Sequence, residues 1–236
     1  MNLPFRPPAG ICVSIGAATV AQALEAARLS VNLADVIEIR LDTLSDPEIA
    51  PFIRNLSVPL LFTNRPEWEG GSFKGTETAR VGLLVEAVVQ GCALVDLELK
   101  TAPELRAELL DILLQHPQTG LIVSWHDFAG TPSADELAEI LIQQLDSGAH
   151  IGKIVTTAHN YVDVLRILNL QIIAAENNFP LIAFCMGQIG KISRMATTKL
   201  GGCMTYAAPD DGGETAPGQI PVSALHDLLE RLDYAD

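Results

Sequence analysis

One lysine of this chain stands inside an apolar run that is typical of a buried strand. Lys153 lies in the segment 151–156, of sequence IGKIVT, where β-branched residues flank it. A lysine is seldom buried unless it is paired or takes part in chemistry. A buried amine that loses its proton is a nucleophile that can form an imine with a carbonyl substrate. The alternative is a lysine at a strand end whose ammonium group reaches solvent.

A histidine and a glutamate could supply proton transfer to such an imine. His126 follows the apolar run 120–124, and histidine titrates near neutral pH, as a general acid or base requires. Glu69, in the segment EWEGG, could fix the tautomer of His126 and increase its basicity. The alternatives are a core histidine bonded to backbone and a glutamate in a surface loop. Surface positions are expected for the other histidines: His116, His150, His159 and His226.

These groups together suit the removal of water from a β-hydroxy ketone. That reaction begins with loss of a proton from the carbon next to the carbonyl. An iminium makes this carbon more acidic because it accepts the developing negative charge, so Lys153 could serve as the electron sink. His126 could take the proton and afterwards protonate the departing hydroxyl.

Polar residues two apart in sequence recur where apolar runs end. Such pairs lie on one face of a strand, and four of them occur: Glu38 with Arg40, Thr63 with Arg65, Asp96 with Glu98, and Ser124 with His126. Each could be a buried ion pair or polar pair that only satisfies itself. Because buried ion pairs stabilise little once desolvation is counted, four pairs at the same end of four strands favour a functional site.

The elements that would hold these residues alternate between strand and helix along the chain. Apolar runs predict strands at 11–15, 36–40, 59–64, 93–98, 120–124, 151–156, 180–186 and 203–207. Helical spacing of apolar residues predicts helices that include 76–90, 133–147, 160–177 and 222–232, with capping-box patterns at 19–22 and 133–136. Eight such units without a linker predict one closed (β/α)8 barrel, a TIM barrel, over residues 1–236. An open doubly wound sheet is the alternative, but the G-x-G-x-x-G turn is absent.

Two further features lie near the C-terminus. Arg194 is predicted to begin the seventh helical stretch, where its guanidinium could hold a carboxylate through two bonds; an exposed helix charge is the alternative. The segment 210–219 is rich in glycine and proline and is predicted to be a mobile lid, with an ordinary solvent loop as the alternative.

Composition restricts the class of partner. The net charge of -14 argues against nucleic acid or an anionic membrane as the main partner, although a small anionic substrate responds to the local field of its pocket. Four cysteines occur without a C-x-x-C pair or zinc-like spacing, which favours reduced thiols and a cytoplasmic protein. No signal core and no apolar run of roughly 18 residues is present, so no membrane span is expected.

Seven motifs, in order along residues 11 to 232, resemble those of the type I 3-dehydroquinate dehydratases, the Schiff-base-forming dehydratases of the shikimate pathway. They are EIRLD at 38–42, TNRPEWEGG at 63–71, VDLE at 95–98, SWHDF at 124–128, KI at 153–154, ISR at 192–194 and APGQ at 216–219. No single motif is decisive, whereas the ordered series is specific.

The resemblance implies a (β/α)8 barrel that converts 3-dehydroquinate to 3-dehydroshikimate without a metal or organic cofactor, commonly as a homodimer. By motif match, Lys153 would form the imine, His126 would be the general acid/base and Glu69 would orient it. The substrate-binding residues would be Glu38, Arg40 and Arg65 at the ring hydroxyls, Arg194 and Gln219 at the carboxylate, and Thr215 before the APGQ motif.

Three departures from the family pattern bear on turnover and loop closure. Thr215 stands where serine is usual, the preceding loop 209–214 is longer and acidic, and Phe184 replaces a commonly seen methionine. Two rival functions remain. A class I aldolase acting on a sugar phosphate would need a phosphate cradle after strands seven and eight, whereas Gly201 and Gly202 precede strand eight. A barrel that only binds or assembles would not need Lys153, His126 and Glu69 together.

Overall fold

The computed structural model describes residues 10–232 of the chain. Eight parallel strands lie within this range: β1 Ile11–Ile15, β2 Val36–Arg40, β3 Leu60–Thr63, β4 Leu94–Glu98, β5 Gly120–Asp127, β6 Ile151–Thr157, β7 Leu181–Met186 and β8 Thr205–Ala207. Eight helices alternate with them: α1 Val20–Ser30, α2 Ala50–Asn55, α3 Glu77–Val89, α4 Pro103–Gln115, α5 Ala134–Asp146, α6 Tyr161–Glu176, α7 Gly187–Lys199 and α8 Val222–Leu232. Two 3-10 turns, Leu41–Thr43 and Glu67–Glu69, follow β2 and β3.

The strands form a nearly closed barrel. Their order is β7-β6-β5-β4-β3-β2-β1-β8, and every neighbouring pair in this order is parallel. Across the remaining seam between β7 and β8, the Cys203 N–H donates to the Leu181 carbonyl at 2.9 Å. The predicted (β/α)8 barrel is therefore confirmed, and the open doubly wound sheet is wrong.

The barrel interior changes character along its axis. Near the N-terminal ends of the strands lie the apolar residues Cys12, Val36, Leu61, Leu94, Ile122, Ile151, Ile182 and Met204. Two residues further along the chain, and hence on the same face, lies a second buried set: Ser14, Glu38, Thr63, Asp96, Ser124, Lys153, Phe184 and Tyr206. The apolar set fills the barrel, and the second set forms the floor of its C-terminal mouth.

Two predicted details are wrong. β5 extends three residues beyond the predicted end at Ser124, so His126 lies on the strand itself. Arg194 lies two turns inside α7, which already begins at Gly187. The glycines of this first turn do not indicate a loop: a Cβ on Gly190 would lie 2.5 Å from the Cys185 carbonyl oxygen. Gly190 therefore lets α7 begin directly against the end of β7, which places Arg194 above the mouth.

The close approach of Gly190 to β7 predicts that alanine will destabilise the protein at Gly190, whereas alanine at the uncrowded Gly82 will stabilise it. Gly190→Ala should destabilise the protein by about 1–3 kcal/mol, because the new methyl group must push α7 away from β7. Gly82→Ala in α3, where a Cβ would meet nothing within 4 Å, should stabilise it by about 0.5–1 kcal/mol. Urea unfolding of both variants measures the two changes. Equal effects of the same sign would show that Gly190 does not set the spacing between α7 and β7.

Candidate active site

A cavity of about 510 Å³, including its open entrance, lies at the C-terminal mouth of the barrel. All nine residues predicted for the site line it: Glu38, Arg40, Arg65, Glu69, His126, Lys153, Arg194, Thr215 and Gln219. Eight further residues complete the lining: Thr63, Gly70, Phe128, Val155, Phe184, Met186, Tyr206 and Ala216. Strand ends, the turn after β3, helix α7 and the segment after β8 thus converge on one space.

Lys153 projects from β6 into this cavity and is only 4% exposed. Its Nζ lies 3.0 Å from Asp96 Oδ2 and 3.7 Å from Glu38 Oε1. The Tyr206 ring centroid lies 4.3 Å from the same nitrogen. The alternative of a lysine that reaches solvent is therefore wrong. The ammonium group is held among two carboxylates and one aromatic face, at the centre of the cavity floor.

Arg65 joins the carboxylates of β4. Its Nη1 donates to Glu98 at 2.7 Å and to Ser124 Oγ at 2.6 Å, and its Nη2 donates to Asp96 at 2.8 Å. Burial by itself would raise the pKa of Asp96, but the positive charges of Arg65 and Lys153 hold it well below its ordinary value. Asp96 therefore stays a carboxylate and anchors the lysine.

Arg80 supports this group from behind the sheet. It is fully buried on α3 and donates to Glu98, to the Asn64 carbonyl oxygen and to Thr101 Oγ1. Glu77 accepts two further bonds from it, at 2.9 and 2.8 Å. Because Glu98 lies between two arginines, its charge is compensated from both sides, which fixes the direction of the Arg65 side chain.

His126 and Glu69 are in direct contact, with His126 Nδ1 2.9 Å from Glu69 Oε1. Both side chains are shielded from solvent: Glu69 is 3% exposed, and the His126 ring stacks on Phe128 at 6.0 Å. Gly70, at φ 76°, allows this approach, since a Cβ there would strike the Phe128 ring. The surface reading of Glu69 is therefore wrong, and His126 bonds to a carboxyl group instead of backbone.

Burial drives both partners of this pair toward their neutral forms. It raises the pKa of Glu69 to about 8, against the opposing charge of Arg65. The pKa of His126 lies well below its ordinary value, first through burial and then through the charges of Arg65 and Lys153. The imidazole is therefore unprotonated at neutral pH, and Glu69 in its ionised form would stabilise the protonated ring.

Arg194 contributes a buried cation of a different kind. It is 1% exposed, and within residues 10–232 no carboxylate lies within 4.0 Å of its guanidinium. Its hydrogen bonds to the carbonyls of Tyr206 (3.5 Å) and Pro217 (3.4 Å) are long, and its Nε has no hydrogen-bond partner among these residues. Burial lowers its pKa to about 10, so the group remains charged at neutral pH. An unpaired buried guanidinium is a site for an anion.

The segment after β8 contributes Thr215 and Gln219. Gln219 Oε1 accepts from the Thr215 backbone N–H at 2.7 Å, and Thr215 Oγ1 lies 2.9 Å from Ser14 Oγ. Ser14 donates in turn to Glu38, which also accepts from Thr63 at 2.7 Å. The segment is thus joined to the cavity floor through a chain of hydroxyl groups.

Arg40 is held by Asp42 through two hydrogen bonds, from Nε at 2.8 Å and from Nη2 at 2.6 Å. Asp42 also accepts from the backbone N–H groups of Arg65 and Ser72, so it ties the turn after β3 to β2. Arg40 is partly exposed and lines the cavity. Its orientation is therefore set before any ligand enters.

Several contributing residues were not predicted for the site. Asp96, Glu98 and Ser124 were recognised only as strand-end pairs, and Ser14, Arg80 and Tyr206 were not recognised. Ser14 occupies the same register as Glu38 in the neighbouring strand, and this register could have identified it. Arg80 belongs to a helix, and its approach to Glu98 had no signal in the sequence.

Outside the cavity, the described residues contain one group with metal-ligand geometry, His226, Asp227 and Glu230 on the solvent face of α8. All four cysteines are buried and unpaired. Within residues 10–232, every helix is too short or too polar to cross a lipid bilayer.

Comparisons of the sequence and of the structure with known proteins indicate the same family. A family model described as type I 3-dehydroquinase matches residues 11–236. The 3-dehydroquinate dehydratase of Desulfotalea psychrophila is 48% identical over 221 residues, which cover 94% of this chain and 97% of that protein. Type I 3-dehydroquinate dehydratase from Clostridium difficile, solved with covalently modified comenic acid, has a TM-score of 0.85 at 28% identity and covers 94% and 91% of the two chains. The enzyme of Geobacillus kaustophilus has the same TM-score and identity, with 96% and 92% covered.

Proposed function

The chain belongs to the type I 3-dehydroquinase family, and from this premise we propose that it dehydrates 3-dehydroquinate to 3-dehydroshikimate through an imine on Lys153. The observation that carries the proposal is the convergence of Lys153, the His126–Glu69 pair and the unpaired Arg194 in one cavity. A small hydroxylated keto acid needs each of these groups. It needs a nucleophile for the ketone, a base for the adjacent proton and a cation for the carboxylate.

Six of the residues that line the cavity are proposed to bind the substrate. Arg194 binds the carboxylate, because its guanidinium is buried and charged and forms no ion pair within 4.0 Å among the described residues; the charge of Glu214 reaches it only from farther away. Gln219 and Thr215 line the cavity with it. Glu38, Arg40 and Arg65 contact the ring hydroxyls, with Arg65 restricted by its bonds to Asp96 and Glu98. No metal or organic cofactor takes part in this proposal.

The chemical steps follow from the groups around Lys153. After the ammonium loses a proton, the amine attacks the ketone carbon, and the ketone oxygen leaves as water. The iminium then acidifies the adjacent carbon, and His126 takes its proton while Glu69 stabilises the imidazolium. His126 returns this proton to the departing hydroxyl, which leaves as the second water. Hydrolysis of the conjugated imine releases the product and restores Lys153.

We also propose that the segment 210–219 closes the entrance during turnover. The segment is tied at Asp210, which accepts from Ser223, and at Thr215, whose hydroxyl donates to Ser14 of β1. Between them, Gly212 and Gly213 have φ values of 99° and 94° and are exposed. A segment with fixed ends and a glycine-rich centre can move over the cavity while Thr215 and Gln219 stay in place.

The rival functions lack a supporting observation in this site. A sugar-phosphate aldolase would need a phosphate cradle after β8, whereas Gly201 and Gly202 precede that strand and the anion site is one arginine on α7. A barrel that only binds or assembles would have no use for an enclosed lysine beside a His–Glu pair. Buried unpaired cysteines and the pathway of the family favour a cytoplasmic enzyme.

Reduction with borohydride in the presence of 3-dehydroquinate tests the central step. The adduct should lie on Lys153, and Lys153→Met should lose both the adduct and turnover. His126→Ala should still give the adduct, while turnover falls at least about a hundredfold, because a general acid/base is typically worth that factor or more. Mass spectrometry of the reduced protein and an assay for water loss measure both. An adduct on Lys100 or Lys191, or turnover of His126→Ala within about threefold of the parent, would contradict the assignment.

The Glu69 pKa of about 8 predicts how Glu69→Gln depends on pH. Below that pKa the parent side chain is mostly a neutral acid, which glutamine resembles, so kcat/KM should fall by only about threefold. Above it the parent supplies a carboxylate that stabilises the imidazolium, so the difference should grow to about tenfold or more by roughly pH 9.

Glu67→Gln is the matched control for this pH series. Glu67 lies on the same 3-10 turn but pairs with Lys74 in solvent and does not line the cavity. The kcat/KM of Glu67→Gln, divided by that of the parent, should stay constant across the pH series. A constant ratio for Glu69→Gln as well would show that Glu69 does not act through its charge.

We further propose that the protein is a homodimer that uses the outer face of α6. Tyr161, Leu165 and Ile172 form a stripe on this helix and are 70%, 67% and 59% exposed. Because each copy carries a net charge of -14, association needs an apolar area that outweighs the repulsion. A second copy of this face provides such an area.

Leu165→Glu tests the dimer, because a carboxylate in an apolar interface would be buried without a partner. The parent should sediment as a dimer at micromolar concentration, and the variant should shift to monomer. Leu114→Glu on α4, at a residue 79% exposed, should leave the dimer intact. A parent that sediments as a monomer, or a Leu165→Glu variant as dimeric as the parent, would refute the interface.

A further inference from the structure

Two aromatic residues interrupt the polar floor of the cavity. Phe184 on β7 and Tyr206 on β8 belong to the same buried set as Glu38, Asp96 and Lys153, but they carry rings where the other strands carry polar or charged side chains. Their ring centroids are 5.9 Å apart, with planes inclined by 48°. They meet across the seam between β7 and β8, the neighbouring strands that no ladder of hydrogen bonds joins.

Each ring lies against one of the two cations to which the proposed function assigns the substrate. The Lys153 Nζ is 4.3 Å from the Tyr206 ring centroid, and the Arg194 Cζ is 4.4 Å from the Phe184 ring centroid. Both distances are within the range of an attractive cation–π contact, which strengthens when the groups are shielded from water. Lys153, Tyr206, Phe184 and Arg194 therefore form one continuous line of contacts.

The aromatic rings suit Arg194 better than a carboxylate would. A carboxylate beside the guanidinium would compete with an incoming anion for the same donors. The face of Phe184 attracts the cation through its ring quadrupole without using any of its N–H donors. The backbone carbonyl of Tyr206 adds only a long bond of 3.5 Å. The arginine is thus held in place without being neutralised.

Rings also fix positions more firmly than flexible side chains. A buried phenylalanine or tyrosine has two side-chain torsions and a rigid ring, whereas methionine has three rotatable bonds and adapts to its surroundings. With two rings in contact, movement of either cation toward the other requires movement of both rings. The separation of Lys153 and Arg194 is therefore set by packing.

We propose that Phe184 and Tyr206 form an aromatic bridge that fixes the spacing between Lys153 and Arg194, and thereby restricts efficient imine formation to cyclic ketones whose carboxylate stands at the matching separation. This inference rests on the proposed function, because it takes Lys153 as the imine-forming residue and Arg194 as the carboxylate site. Phe184 and Tyr206 act as positioning and specificity-determining residues through these two cations.

Two probes separate the two ends of the bridge. The first is 3-dehydroquinate, and the second is 3-hydroxycyclohexanone, which has the β-hydroxy ketone but no carboxylate. Phe184→Met should raise the KM for 3-dehydroquinate by about tenfold, as expected for loss of a buried cation–π contact. It should slow borohydride trapping of 3-hydroxycyclohexanone much less, because that probe has no carboxylate for Arg194 to position. Tyr206→Met should slow trapping of both probes by about tenfold. Tyr206→Phe, which keeps the ring, should recover most of that loss.

The double variant Phe184→Met/Tyr206→Met tests whether the two rings act as one unit. A bridge requires both rings, so the double variant should lose about as much kcat/KM as the more damaged single variant. Multiplied losses would show two independent contacts and would overturn the bridge. An equal effect of Phe184→Met on both probes would overturn it as well.

Phe52→Met controls for the loss of a buried ring as such. Phe52 is fully buried and packs against Phe62 with ring centroids 6.1 Å apart, outside the cavity. Phe52→Met should lose stability without changing the ratio of trapping rates for the two probes. Thermal unfolding of every variant checks that each is folded under the assay conditions. A change of that ratio in Phe52→Met would show that discrimination between the probes depends on general loosening of the core, and would refute the bridge.

Failure of the proposed function is a separate outcome. It would follow if the parent neither traps 3-dehydroquinate on Lys153 nor releases water from it.

Discussion

The structure of the mouth depends on the need to compensate buried charge. Arg65 lies between Asp96 and Glu98, and Arg80 holds Glu98 from the opposite side. A single charge left unpaired at this depth would cost several kcal/mol, so these side chains have little freedom to take other positions. Because Asp96 is fixed in this way, its second oxygen meets Lys153 at a defined point above the barrel floor. The position of Lys153 is thus a consequence of ion pairing between β3, β4 and α3.

Two of the groups proposed to act on the substrate, Arg194 and the His126–Glu69 pair, differ from this ion-pair network in the balance of their charges. Arg194 forms no ion pair within 4.0 Å among residues 10–232, and burial drives the His126–Glu69 pair toward neutrality. Electrostatic preorganisation of this kind makes charge available where the reaction develops it. The cavity therefore combines a rigid, neutralised floor with a few groups whose charge can change or be shared.

Much of this organisation follows from the sequence alone. The alternation of apolar runs and helical segments determined the barrel, because a buried parallel strand and an amphipathic helix have different periods. Polar residues two apart at strand ends determined that several charged side chains face one mouth. The ordered motifs identified the family, and all nine residues carried over by motif match line the cavity.

Tertiary structure alone decided the properties that depend on distance and burial. Lys153 looks isolated in an apolar strand, but Asp96, 57 positions earlier in the chain, pairs with it only because β4 and β6 curve around one axis. Glu69 reads as a loop residue, yet the turn after β3 folds under Phe128 and buries it, which raises its pKa. The ring contact between Phe184 and Tyr206, likewise, forms only where β7 and β8 meet. Periodicity reports which face a side chain takes, whereas pairing and desolvation arise between segments far apart in sequence, so neither could be predicted from the sequence pattern.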